Sequence, residues 1–195
     1  MNIHRLCVFC GSSSGNDPAY GELAAQLGRT LAQRGIGLVY GGGRVGLMGV
    51  LADAALKAGG EVIGVIPKAL LDREHGHGSL TQLRVVDSMH ERKALMAELA
   101  DGFAALPGGI GTLEEIFEVW TWSQLGIHRK PCGLLDVGDF FAPLVRYLDH
   151  VVQTGFVSST TRAMLTVAAS PDELLAQFSA YEAPALAQWV TPAQT

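Results

Sequence analysis

Cysteine is scarce in this chain: Cys7, Cys10 and Cys132 are the only three among 195 residues. Three thiols cannot complete a disulfide framework, and none stands with histidines at zinc spacing, so a disulfide-stapled extracellular scaffold and a zinc domain are both disfavoured. Charge is sparse as well, at 17% Asp, Glu, Lys and Arg against about 25% in an average soluble protein. The formal net charge is −5, so the long-range field repels nucleic acid and anionic membrane, and any phosphate must be held by local groups. No apolar run approaches the roughly 18 residues of a membrane span, and no signal-peptide core follows the polar start Met1 to Arg5. Together these absences lead to the expectation of a cytoplasmic protein with neither a membrane nor a nucleic acid as partner.

The chain is rich in apolar residues, 48%, and in glycine, 24 residues. Short apolar runs of strand length alternate with longer segments of helical period, the pattern of a parallel sheet covered by helices on both faces. Strands are expected near 4–10, 36–40, 61–66, 83–87, 103–106, 132–135 and 164–168, and helices near 18–34, 47–58, 88–100, 112–125, 139–153 and 171–179. Gly35, Gly59 and Gly155 fall just past three of the helix ends, where a left-handed residue closes a helix. No linker or repeat divides this pattern, so residues 1–181 are read as one α/β domain and 182–195 as a C-terminal tail. The segment 67–82 lacks a sustained helical period and reads as a functional loop.

Cys7 and Cys10 form a C-x-x-C, but inside the apolar run Leu6 to Phe9 rather than at a helix start, which marks them as buried strand residues rather than a redox pair. The glycines at strand ends make three loops. GSSSG at 11–15 matches G-x-S-x-G, yet Asn16, Asp17 and Pro18 separate it from the next helix, where a nucleophile elbow needs the helix at once. Its glycines and hydroxyls suit ligand approach to the strand end better than Ser13 suits nucleophilic attack. GGGRVGLMG at 41–49 lacks the G-x-G-x-x-G signature and an acidic ribose-binding partner, which disfavours a dinucleotide; close helix-to-strand packing is the plain reading of its glycines. PGGIGTLEE at 107–115 runs from a strand into a helix and exposes backbone N–H groups suited to a phosphate, without the Gly-Lys-Ser/Thr of a triphosphate loop.

Two charged residues are out of place. Glu115 stands three residues after Thr112, so it either closes a capping box or serves a site. Its wheel position beside Val119 and Trp122, opposite the stripe Leu113, Ile116, Phe117 and Trp120, puts a carboxylate on a helix buried on two sides. Arg92 falls at the centre of the stripe Met89, Leu95, Met96 and Leu99, and Arg92 with Lys93 sets two cations near the positive end of a helix dipole, unfavourable unless an anion meets them. Glu74, His75 and His77 in the long loop lack the other fixed ligands of a metal site, so no metal is expected, although Glu74 could reach a ligand.

The stretch MHERK at 89–93 followed by PGGIGTLEE at 107–115 resembles the paired signature of the Lonely Guy (LOG) family, the cytokinin riboside 5′-monophosphate phosphoribohydrolases once labelled lysine decarboxylases. The likeness runs on through CVFCGSSSG, VYGGGRVGLMG, GVIP, KPCGLLD and the GF at 155–156. It implies a Rossmann-like doubly wound parallel sheet, a homodimer, no cofactor, and cleavage of the N-glycosidic bond of adenosine monophosphate or its N6-modified forms. By position it implies that Arg92 and Glu115 are the catalytic pair. It also implies nucleotide contacts by Glu74, Met89, Lys93, Gly108, Gly109, Gly111 and Thr112, with Gly11 and Ser12 near the base or ribose. A non-catalytic nucleotide or cofactor carrier is the alternative, because related Rossmann-like proteins share the PGG-x-GT loop; retention of both Arg92 and Glu115 favours the enzyme.

Overall fold

The computed structural model describes residues 2–71 and 76–185. Seven strands form one parallel sheet: β1 (Arg5–Phe9), β2 (Gly37–Tyr40), β3 (Val62–Pro67), β4 (Gln82–Val86), β5 (Gly102–Ala105), β6 (Cys132–Leu135) and β7 (Leu165–Ala168), in the order β4-β3-β2-β1-β5-β6-β7. The intervening helices are α1 (Pro18–Gln33), α2 (Gly46–Lys57), α3 (Met89–Leu99), α4 (Ile110–Gln124), α5 (Ala142–Gln153), α6 (Ser159–Ala163) and α7 (Pro171–Ala180). The chain lays down β1 to β4 outward to one edge, then returns to place β5 on the other side of β1. This is the Rossmann-like, doubly wound arrangement expected, and the crevice where the order reverses opens beyond the carboxyl ends of β1 and β5.

Both faces of the sheet are covered, which is why β2, β3, β5 and β6 are buried along their whole length, while the edge strand β4 carries Gln82 and Arg84 and is largely exposed. Leu6 and Val8 of β1 join a core with Leu27 and Leu31 of α1, Leu51 of α2 and Phe178 of α7. Cys7 and Phe9 point the opposite way, into a core with Met96 of α3, Ile116 and Trp120 of α4, and Phe141. Among the described residues no helix is long and apolar enough to cross a membrane.

Helix ends follow local chemistry. Asp17, Ser88 and Ser170 cap α1, α3 and α7 by accepting from backbone N–H groups of the first turn. Gly35, Gly59 and Gly155 take φ of 67, 81 and 83°, closing helices as the sequence predicts. Three features away from the glycine loops differ from expectation. Helix α5 begins at Ala142 rather than 139, because Gly138 and Asp139 both adopt positive φ (60 and 58°) and the Asp136 carboxylate accepts from the Phe141 N–H. The five-residue α6 was too short to show a period. Within the long loop, residues Lys68–Leu70 form a single 3-10 turn.

Candidate active site

The three glycine loops meet at one point. The Gly11 N–H, just past β1, donates to the Pro107 carbonyl past β5 (3.1 Å), and the Gly11 carbonyl accepts from the Leu47 N–H at the start of α2 (3.0 Å). The crossing leaves no room for side chains. A Cβ on Gly108 would lie 2.2 Å from Thr112 Oγ1 and 2.9 Å from the Gly11 nitrogen, and one on Gly46, itself at φ +57°, would lie 2.4 Å from the Ser12 carbonyl carbon. Glycine is therefore required here for close backbone approach. The packing role expected of the second loop holds, and the first and third loops share it.

Helix α4 starts at Ile110, two residues earlier than predicted, with Gly109 as its N-cap residue and no side chain capping it. Thr112 lies inside the first turn, so the Thr112–Glu115 capping box, one of the two readings of that spacing, is not formed. Glu115 instead lines a cavity. The first turn of α4 carries no acidic residue, so its unfilled N–H groups present a positive end to whatever occupies that cavity.

The cavity, about 320 Å³, sits at the reversal point between β1 and β5. Gly11, Ser12, Met89, Arg92, Gly109, Gly111, Thr112 and Glu115 of the predicted residues line it, together with Cys10, Gly41, Met48, Leu70, Ile110 and Glu114. Arg92 is only 5% exposed. Its Nη2 donates to the Gly41 carbonyl (3.2 Å) and its Nη1 reaches the Met89 sulfur (3.7 Å), while its buried Nε has no partner among the described residues. A guanidinium held by one carbonyl and one thioether is an under-compensated buried cation, and an anionic ligand at its side supplies what the protein omits. The negative field of Glu115 reaches the floor of the cavity: burial first, then Glu115, pushes the thiols of Cys7 and Cys10 up. The two thiols lie in cores on opposite faces of the sheet, so they neither pair nor ionise at neutral pH.

Other predicted residues lie elsewhere. Lys93, one residue beyond Arg92, turns away from the cavity and donates to Glu114 (2.6 Å) and Glu118 (2.9 Å), fastening α3 to α4. Gly108 lies in the crossing beneath the cavity and lines a smaller neighbouring depression with Tyr20 and Phe140. Glu74 falls outside the described residues. His77 is buried against Asp53: Ser79 N–H donates to its Nδ1 (3.3 Å), which leaves Nε2 to donate to Asp53 Oδ1 (3.1 Å). It thereby pins residues 76–79 to α2. Ser13 Oγ accepts only from the nearby Gly15 N–H among the described residues, at 3.4 Å, which offers nothing to activate a nucleophile. Sequence reasoning missed Gly41, whose absent side chain makes space for Arg92: a Cβ there would lie 2.0 Å from Nη2.

Comparison with known proteins adds the family. A family model described as "Possible lysine decarboxylase" matches residues 48–178. No lysine is among the described residues lining the cavity, so the Schiff-base residue that a pyridoxal phosphate decarboxylase needs is missing from it. A cytokinin riboside 5′-monophosphate phosphoribohydrolase of Arabidopsis thaliana is 52% identical over 178 residues, covering 91% of this chain and 82% of its own. A protein of the same name from Rhodococcoides fascians is 53% identical over 163 residues, covering 83% and 82%. Among solved structures, the molybdenum cofactor carrier protein of Chlamydomonas reinhardtii superposes with a TM-score of 0.69 at 20% identity, covering 91% of this chain and 97% of that one, a likeness of fold alone. With half its residues identical to such relatives over nearly its whole length, and with Arg92 and Glu115 of the signature lining one cavity, the chain belongs to the LOG family of cytokinin riboside 5′-monophosphate phosphoribohydrolases.

Proposed function

We infer that the protein hydrolyses the N-glycosidic bond of adenosine 5′-monophosphate or of N6-modified, cytokinin riboside 5′-monophosphates, releasing free base and ribose 5-phosphate. The observation that carries this reading is the pairing, in one cavity, of the under-compensated Arg92 cation and the Glu115 carboxylate beside an uncapped helix start. The names of relatives at about half identity support it.

The 5′-phosphate rests on the N–H groups at the start of α4, within PGGIGT, and Arg92 holds the phosphate or the ribose hydroxyls so that C1′ is fixed in place. Cleavage passes through an oxocarbenium-like state, which the Glu115 carboxylate stabilises while it orients and deprotonates the attacking water. Water oxygen bonds to C1′, the C1′–N bond breaks with its electrons going to the base, and the base leaves carrying a proton. Met89, Gly11 and Ser12 complete the walls around base and ribose.

The test is chromatography of base and ribose 5-phosphate after incubation with adenosine monophosphate and, separately, its isopentenyl derivative, using Arg92→Ala and Glu115→Gln as controls. Release from the native protein that is lost in both variants is the expected result. Tight nucleotide binding without release from either substrate overturns the reading in favour of a carrier. Full activity in Glu115→Gln removes that residue from the mechanism.

A homodimer is part of the proposal. Helix α4 buries Trp120 in the core, yet the half-buried Trp122 lines an open groove between α3 and α4 with Ala94, Glu98, Ile127 and Lys130, an apolar-floored surface of the kind a second copy covers. Sedimentation as a monomer at micromolar concentration overturns it. Three buried free thiols support placement in the cytoplasm, which cell fractionation tests.

A further inference from the structure

We propose that Met89 is an oxidation site, and that conversion of its thioether to the sulfoxide weakens nucleotide binding by capturing Arg92. The inference rests on the nucleotide-binding reading of this cavity. Met89 is 39% exposed on the lip of the cavity, whereas Met48, Met96 and Met164 are 5%, 1% and 3% exposed. Access to the sulfur governs methionine oxidation, so among the described methionines Met89 reacts first. Thiols, the usual competitors, are poor ones here: Cys7, Cys10 and Cys132 are all buried, and burial raises all three away from the reactive thiolate.

The consequence follows from one contact. Arg92 Nη1 lies 3.7 Å from the Met89 sulfur, which is a weak acceptor. With hydrogen peroxide, the sulfur lone pair takes one peroxide oxygen: an S–O bond forms, the O–O bond breaks, sulfur gives up two electrons, and the other oxygen leaves as water. The new oxygen is a strong acceptor beside a guanidinium whose Nε has no partner among the described residues and whose Nη2 donates to the Gly41 carbonyl. It takes the place the nucleotide anion would fill, and it makes an apolar wall polar.

The experiment treats the purified protein with hydrogen peroxide, maps the added oxygen by peptide mass, and measures adenosine monophosphate binding by calorimetry alongside base release. Oxygen is expected on the Met89 peptide before those of Met48, Met96 and Met164, with affinity reduced about tenfold and restored by methionine sulfoxide reductase but not by a thiol reductant. Met89→Leu, compared with its own untreated sample, is expected to hold its affinity under peroxide. Met89→Gln, a polar stand-in for the sulfoxide, is expected to bind weakly without it. Oxidation of a buried methionine first, or unchanged affinity once Met89 is oxidised, overturns the proposal. Binding without base release in the untreated protein defeats the hydrolase reading and leaves this inference standing; absence of binding defeats both.

Discussion

Replacing Gly41 by alanine tests whether the position of Arg92, rather than its mere presence, sets activity. The new Cβ would lie 2.0 Å from Arg92 Nη2 and 3.3 Å from the Met48 sulfur, against roughly 3.5 Å for an unstrained contact. The guanidinium must therefore retreat by about 1.5 Å, and its 3.2 Å bond to the Gly41 carbonyl is lost or bent. The fold should tolerate this, because Gly41 does not hold a positive φ and the obstructed atom is the end of a flexible side chain. A displacement of this size at a positioning group costs about 10²-fold in kcat/KM, or about 2.7 kcal/mol of transition-state stabilisation. Base release from adenosine monophosphate should fall by that factor while the thermal unfolding midpoint moves by only a few degrees. In an Arg92→Ala background the same substitution should weaken adenosine monophosphate binding by less than about threefold further, since the group it displaces is gone. Undiminished activity of Gly41→Ala, or an equal loss in both backgrounds, would refute the reasoning.

Other consequences are equally specific. Gly108→Ala sets its Cβ against the Gly11 backbone and Thr112 Oγ1, so it should destabilise the fold by about 1–3 kcal/mol, read from denaturant midpoints; an unchanged midpoint would mean that the loop crossing yields easily. His77→Ala removes the bonds to Asp53 and Ser79, with an expected loss of about 1–2 kcal/mol and faster hydrogen exchange in residues 76–79; exchange confined to its native rate would show the pin to be idle. Burial lowers the His128 pKa to about 4, outweighing its bond to the Val119 carbonyl. Because Lys130 N–H donates to Nδ1 (3.1 Å), only the neutral ring fits, and the native state resists protonation. Stability from this group is thus complete above the unfolded value near pH 6.5 and lost as pH falls toward 4, by at most about 3 kcal/mol; a His128→Asn variant should flatten that acid limb, and an identical pH profile would refute the assignment.

Much of this was legible in the chain, and the failures have a common cause. Strands buried on both faces announce themselves as unbroken apolar runs, and left-handed glycines mark helix ends, so the order of elements followed from local pattern. Arg92 and Glu115 were legible as misfits, charges on helix faces that should be apolar. The Thr112–Glu115 spacing, by contrast, satisfied a local rule that the fold does not use. Thr112 Oγ1 packs over Gly108 inside the first turn of a helix that starts at Ile110 after Gly109 as N-cap, and Glu115 lines the cavity. Lys93 lies outside the cavity for a simpler reason: one residue along a helix is a rotation of about 100°, enough to carry a cation from the cavity to the carboxylates of α4. Gly41 had no local signature at all, because its partner Arg92 lies 51 residues away.

Contacts of that span depend on sheet order, and alternation of strands and helices does not specify it. The same seven strands laid down in sequence order would put β4, rather than β1, beside β5 and would leave the first and third glycine loops apart. Returning β5 to the side of β1 brings the loop after Gly11 against Pro107, and the uncapped start of α4 then opens beside the β2 end that receives Arg92. The misfit charges in the sequence therefore name the candidate groups, while the position of one crossover decides that they share a cavity. A circular permutant that opens the chain within an exposed turn, such as 59–60, keeps that crossover and should retain both fold and activity; a folded permutant that binds no nucleotide would show that chain connectivity, and not sheet order, assembles the site.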